Sequence, residues 1–137
     1  MNTKTPLFDD YLTAFDYDER RAMKIDSEEL AEMLKDGADV QFIDIRFKEE
    51  FAAWHVFPAK NIPLNELPQR LDELDRDKLV VTACPHCDRA IMARTFLAAR
   101  GFHARYLVDG LLGLAEYLRG DRARDFVNAL EKVDGKR

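Results

Sequence analysis

The sequence predicts an α/β fold built on a mostly parallel sheet. Short apolar runs rich in β-branched residues alternate with segments whose apolar residues fall at helical spacing. The most apolar run, Lys78 to Ala83, is brief and unbroken, as a central parallel strand covered on both faces must be. The length, 137 residues, suits a chain with a core of its own.

The elements follow in order. Leu7, Phe8, Tyr11, Leu12 and Phe15 recur at helical spacing, with Pro6 in a helix-start position, and predict a helix docked on the core or, as the alternative, one that binds a partner or forms a dimer. Met23-Lys24-Ile25 is a short strand. Asp26 or Ser27 then caps a helix through Leu34, with Glu28 or Glu29 near the capping-box position and Gly37 just past its end. Val40 to Asp44 is a strand, Phe47 to Trp54 a short helix, and Asn61-Ile62-Pro63 a strand end or turn. Leu64 to Leu74 reads as helical. After the strand at Lys78 to Ala83, Arg89 to Arg100 is a helix closed by Gly101, and Ala104 to Val108 a strand. Helices follow over about Leu111 to Leu118 and Asp121 to Val133, with Lys136-Arg137 as a frayed tail.

Composition excludes several function classes. The net charge of −5, without a block of Lys or Arg, speaks against a nucleic-acid partner. No apolar run approaches the roughly 20 residues of a membrane helix, so no membrane partner is expected. The polar start Met1-Asn2-Thr3-Lys4-Thr5-Pro6 lacks the basic residues and about 7–15 apolar residues of a secretory signal, which reads as a cytoplasmic protein. In a reducing compartment two close cysteines are catalytic or metal-binding rather than structural.

Both cysteines lie in Thr82-Ala83-Cys84-Pro85-His86-Cys87-Asp88-Arg89-Ala90, between the best strand and a helix. In parallel sheets the ligand crevice opens at the carboxyl ends of the strands, where Cys84 falls. The unpaired N–H groups and positive end of the following helix favour a thiolate, the reactive form of cysteine. Arg89 adds a permanent cation able to fork onto an oxyanion. Together these make an anion cradle with a nucleophile at its base. Cys87 reads either as a spectator or as a second thiol, His86 as a solvated loop residue or a proton carrier, and Asp88 as a partner of backbone N–H groups. Zinc is not expected: a structural site takes four ligands, only Cys84, His86 and Cys87 cluster, and His55 and His103 show no ligand spacing to them. No cofactor is implied.

Several segments, in this order, resemble the rhodanese-like (sulfurtransferase) domain family between Ile25 and Leu118. Phe42-Ile43-Asp44-Ile45-Arg46 resembles its strand ending in Asp-x-Arg. Glu49-Glu50-Phe51 with His55-Val56-Phe57-Pro58-Ala59-Lys60-Asn61-Ile62-Pro63 resembles its E-x-x-x-x-H-I-P-G-A-x-N-I-P signature. Cys84 to Arg89 has the six-residue length of its active loop, and Val108-Asp109-Gly110 resembles the turn opening its last core helix. The resemblance implies one rhodanese-like domain over 23–120, with a mostly parallel central sheet flanked by helices on both faces. A helical extension, 1–22, would precede it, and a C-terminal helix and tail, 121–137, would follow. It also implies a sulfur-accepting Cys84 that carries a persulfide between half-reactions. The N–H groups of residues 85 to 89 (Pro85, His86, Cys87, Asp88, Arg89) would cradle the outer sulfur. Arg89 would orient the loop and favour the anion, and Asp44 and Arg46 would brace the sheet end. The partners implied are a small sulfur donor such as thiosulfate, a thiol or cyanide acceptor, and a protein acceptor. Related phosphatase loops run one residue longer, a size that fits phosphate rather than sulfur. The chain departs from the family pattern at Cys87, where Gly is frequent, at Ala90, at Phe57-Pro58 and at Gly110-Leu111, and it lacks the usual tryptophan of the last core helix.

Cys84-Pro85-His86-Cys87 is also a C-x-x-C, similar to that of strongly oxidising thioredoxin-like enzymes, although the surrounding chain is not similar to thioredoxin. Three expectations therefore stand: a sulfurtransferase, a thiol–disulfide redox protein in which Cys87 resolves Cys84, and a non-catalytic binding module.

Overall fold

The structure, a computed structural model, describes residues 7–135. Pro6 and the tail at Lys136-Arg137 lie outside the described residues. Five strands form one sheet, all paired in parallel: β1 (Lys24–Ile25), β2 (Val40–Asp44), β3 (Lys60–Asn61), β4 (Leu79–Ala83) and β5 (Ala104–Leu107). Their order is β1-β5-β4-β2-β3, with β4 central. The β2–β4 ladder runs from Val40 opposite Leu79 to Asp44 opposite Ala83.

Parallel strands need crossovers, and helices supply them. After α1 (Leu7–Thr13) and α2 (Tyr17–Arg21) come α3 (Ser27–Lys35), α4 (Lys48–Ala53), α5 (Asp88–Ala99), α6 (Gly110–Tyr117) and α7 (Asp121–Gly135). Asp26 caps α3 by accepting the Glu29 N–H at 2.8 Å, and Gly37 leaves the helix at a φ of +76°. Alternation along the strands divides the core into two layers. Phe42, Val81 and Ala83 face α3, α6 and α7 with Leu30, Leu111, Leu114 and Phe126. Ile43 and Val80 face the other side with Ala93, Leu97 and Phe102. Helices thus cover both sheet faces.

Two expectations change. The helix anticipated from Leu64 to Leu74 is a pair of 3-10 turns, Leu67–Gln69 and Leu71–Glu73. An α-helix starting at Leu64 needs an N–H at position 68, and Pro68 has none. The chain tightens instead to three-residue bonds such as Gln69 N–H to Glu66 C=O at 3.1 Å.

α1 does pack on α5, but not through its apolar stripe. None of its residues is buried, and Leu7, Phe8, Leu12 and Phe15 are exposed. A polar cluster fixes it instead. The Tyr11 hydroxyl donates to Glu19 Oε2 at 2.8 Å, and the buried Arg94 of α5 binds Tyr11, Glu19 and, at 2.9 Å, the Ala104 carbonyl. Burial, and then the Glu19 hydrogen bond, push the Tyr11 hydroxyl pKa up.

Candidate active site

β4 ends at Ala83 and α5 begins at Asp88, so Cys84 to Cys87 form the turn between them. Three neighbours shape this turn. From the strand side, Thr82 Oγ1, fully buried, donates to the Ala90 carbonyl at 2.8 Å and ties the first turn of α5 to the sheet. From below, the first N–H groups of α6 take loop carbonyls: Leu111 to Cys84 at 2.8 Å and Leu112 to Pro85 at 3.2 Å. These donors have no partner within their own helix. With the Pro85 carbonyl drawn toward α6, the trans peptide turns the His86 N–H the opposite way. Gly110 permits this approach. Its φ is +73°, and a Cβ there would sit 2.2 Å from the Pro85 oxygen and 2.4 Å from the His86 oxygen.

From the side, α4 reaches across. Glu50 accepts from Arg89 at 2.8 Å on Oε1 and 3.1 Å on Oε2, a two-pronged pair. The Glu50 Oε1 atom also accepts the Phe47 N–H at 3.1 Å, which fixes the start of α4 to the same carboxylate. The Arg89 guanidinium holds the Glu50 carboxyl below its usual range.

At the floor lies Cys84, fully buried, with its Sγ accepting the Ala90 N–H at 3.3 Å. The Sγ also lies 3.8 Å from Asp88 Oδ1, with the thiol donating. Two expectations about this sulfur are corrected. Pro85 has no N–H and cannot join a cradle for the outer sulfur, while Ala90, beyond the expected span, donates to the Cys84 Sγ itself. The thiol pKa is raised, not lowered. Burial dominates and pushes it up from 9.0, the Ala90 and Arg89 N–H groups pull it back, and the Asp88 carboxylate pushes it up again. The Arg89 cation lowers it too, but is the smallest of these influences.

The other expected residues take these places. Cys87 is half-buried, sits at the N-cap just before α5, and is a free thiol like Cys84. His86 and Asp88 are exposed on the rim, with Pro85 and Arg89 half-buried. The structure gives Asp88 the Cys84 thiol in place of the anticipated backbone N–H groups. Asp44 and Arg46 form a buried pair below the loop. Arg46 reaches Asp44 Oδ2 at 2.8 Å, the Trp54 carbonyl at 2.7 Å, and lies 4.5 Å over the Trp54 ring. Asn61 Nδ2 then donates to both the Asp44 and Arg46 carbonyls, joining β3 to this end of β2. Thr82 and Arg94 were not singled out from the sequence, and Glu50 entered only within the segment resembling the family signature, without a role at the loop. Arg94 left one signal, a charge at an inward helical position beside Ala90, Ala93 and Leu97. Glu50 stood in the segment that resembles the family signature, but its pairing with Arg89 left no signal, because the two residues lie on different helices. Among the described residues no cluster of side chains could hold a metal ion, and no helix is long and apolar enough to cross a membrane.

Comparison with known proteins agrees with this architecture. A sulfurtransferase of Allochromatium vinosum is 34% identical over 79 residues, spanning 58% of this chain and 74% of that protein. The thiosulfate sulfurtransferase GlpE of Ectopseudomonas mendocina is 28% identical over 87 residues, spanning 64% and 78%. A crystal structure of a rhodanese-like domain protein from Staphylococcus aureus superposes with a TM-score of 0.64 at 26% identity, covering 67% of this chain and 90% of that one. The family model described as Rhodanese-like domain matches residues 26–116, most of the chain, and the protein belongs to that family.

Proposed function

We propose that this protein is a sulfurtransferase that carries sulfane sulfur as a persulfide on Cys84. The observation that supports this most is the seat of the Cys84 sulfur. It lies at the sheet's carboxyl end, under a six-residue loop, and accepts an N–H from the helix start at 3.3 Å. Relatives named as sulfurtransferases support the same class.

In the first half-reaction the Cys84 sulfur attacks the sulfane sulfur of a donor. One S–S bond forms, the donor's S–S bond breaks, and the leaving group departs with the electron pair: sulfite, if thiosulfate is the donor. In the second, a thiolate, cyanide or protein thiol attacks the outer sulfur, takes it, and returns Cys84 to its starting state. The outer sulfur would sit against loop N–H groups aimed away from α6, and these compensate its negative charge without a metal ligand. The raised thiol pKa fits a resting enzyme that keeps its nucleophile protonated and buried until donor arrives.

A second thiol in the loop favours an additional reading. Cys87 is free, half-buried and in the same turn as Cys84. Attack by the Cys87 thiol on the inner sulfur of a Cys84 persulfide would form a Cys84–Cys87 disulfide and release hydrogen sulfide, with no outside oxidant.

Intact-protein mass measured after reduction, desalting and saturating exposure to thiosulfate tests the main proposal. The wild type and Cys87→Ser are expected to gain the mass of one sulfur atom, and Cys84→Ser none. A gain that survives in Cys84→Ser refutes the assignment.

A further inference from the structure

We infer that the loop selects sulfane donors carrying a single negative charge and an organic group, such as thiosulfonates, over the dianion thiosulfate. The inference rests on the sulfurtransferase reading and narrows its substrate class.

The charges around Cys84 carry it. A donor that reaches the sulfur crosses a rim formed by His86 and Asp88, both exposed, and by Arg89 with Glu50. Asp88 Oδ1 lies 3.8 Å from Sγ, and its carboxylate therefore faces any anion that approaches that atom. Arg89 is the rim's one permanent cation among the described loop residues, and each of its terminal nitrogens donates to Glu50, whose carboxylate balances its charge. Arg46 is buried and bound to Asp44 and the Trp54 carbonyl. The rim charges of Glu50, Arg89 and Asp88 thus sum to a net negative value. Backbone N–H groups can compensate one negative charge on the transferring sulfur. Neither arginine is thus left unpaired for a second charge on the part of the donor that stays outside.

The half-reaction balances with such a donor. Cys84–SH and R–SO2–S⁻ give Cys84–S–SH and R–SO2⁻; the new S–S bond replaces the old one, and the sulfinate leaves with the electron pair.

Methanethiosulfonate and thiosulfate test this cleanly, because a methyl group in one replaces an oxyanion in the other and the charge drops by one. Sulfur loading of Cys84 is followed by intact mass under pseudo-first-order conditions, for wild type, Asp88→Asn and Glu50→Gln. The wild type is expected to load from methanethiosulfonate about tenfold faster than from thiosulfate at low salt, a ratio that shrinks as salt screens the rim. Asp88→Asn is expected to raise the ratio of the thiosulfate rate to the methanethiosulfonate rate about tenfold, whatever its effect on the thiol common to both, and Glu50→Gln, by freeing Arg89, to move the ratio the same way. A structural role for either residue would move both donors together. Equal or faster loading from thiosulfate in the wild type, or an unchanged ratio in Asp88→Asn, overturns the inference while leaving the persulfide reading intact. Failure of both donors to load any folded variant overturns the persulfide reading and this inference with it.

Discussion

Gly110→Ala is the substitution that most directly couples this fold to its site. The added Cβ would stand 2.2 Å from the Pro85 oxygen, 2.4 Å from the His86 oxygen and 2.7 Å from the His86 Cα. All three are backbone atoms, so no side chain can swing aside. Real Cβ contacts essentially never fall below 3.0 Å, and the loop must therefore retreat by about 0.8 Å. The φ of +73° adds strain for any L side chain, and the two effects together predict a loss of about 2–4 kcal/mol. For a chain of this size that is a fall of about 8–16 °C in Tm. The same retreat pulls the loop N–H groups from the sulfur, and a displacement near 1 Å at a reacting centre costs on the order of a hundredfold in rate. Gly120→Ala separates the two causes. Its φ of +56° carries similar strain, but no atom lies within 4 Å of the new methyl, so a loss of about 1 kcal/mol without any change in sulfur loading is expected. Urea denaturation and the loading rate are measured on both variants. A Gly110→Ala protein with wild-type stability and wild-type loading refutes the claim that α6 holds the loop in its working shape.

Arg46→Met leaves Asp44 buried beside no cation, and a loss of about 3–5 kcal/mol is expected in urea. Adding Asp44→Leu should recover part of that loss; a single variant within about 1 kcal/mol of wild type would contradict the bracing role of the pair. Burial holds the Cys84 thiol above its ordinary value of 9.0, so alkylation of Cys84 in the Cys87→Ser protein should climb with pH through 9 and show no plateau near neutrality. A plateau near pH 7 would show that the helix start, not burial, sets the thiol. In the wild type the Cys84 persulfide should decay to an internal disulfide with release of sulfide, whereas Cys87→Ser should retain the added sulfur; equal lifetimes by timed mass measurement remove Cys87 as a resolving thiol.

The strands at Val40–Asp44 and Leu79–Ala83 and the helix at Asp88–Ala99 were legible because their apolar pattern is local. The placement of Cys84 at a strand's carboxyl end followed from the same pattern. The region around Pro68 was misread because apolar spacing alone overrode the missing N–H. The α1 stripe was misread in the opposite sense. Its periodicity is real, but the Tyr11–Arg94–Glu19 cluster, not the apolar residues, docks it.

The sequence by itself determined the alternation of strands and helices, the parallel sheet and the position of the cysteine loop, since each depends on neighbours within a few positions in the chain. Only the tertiary structure decided the chemistry of that loop. It paired Arg89 with Glu50 from another helix, set Asp88 beside the sulfur, and buried Cys84 far enough to raise its thiol pKa. Charge and solvation at a point depend on everything packed around it, and those groups come together only when distant segments meet.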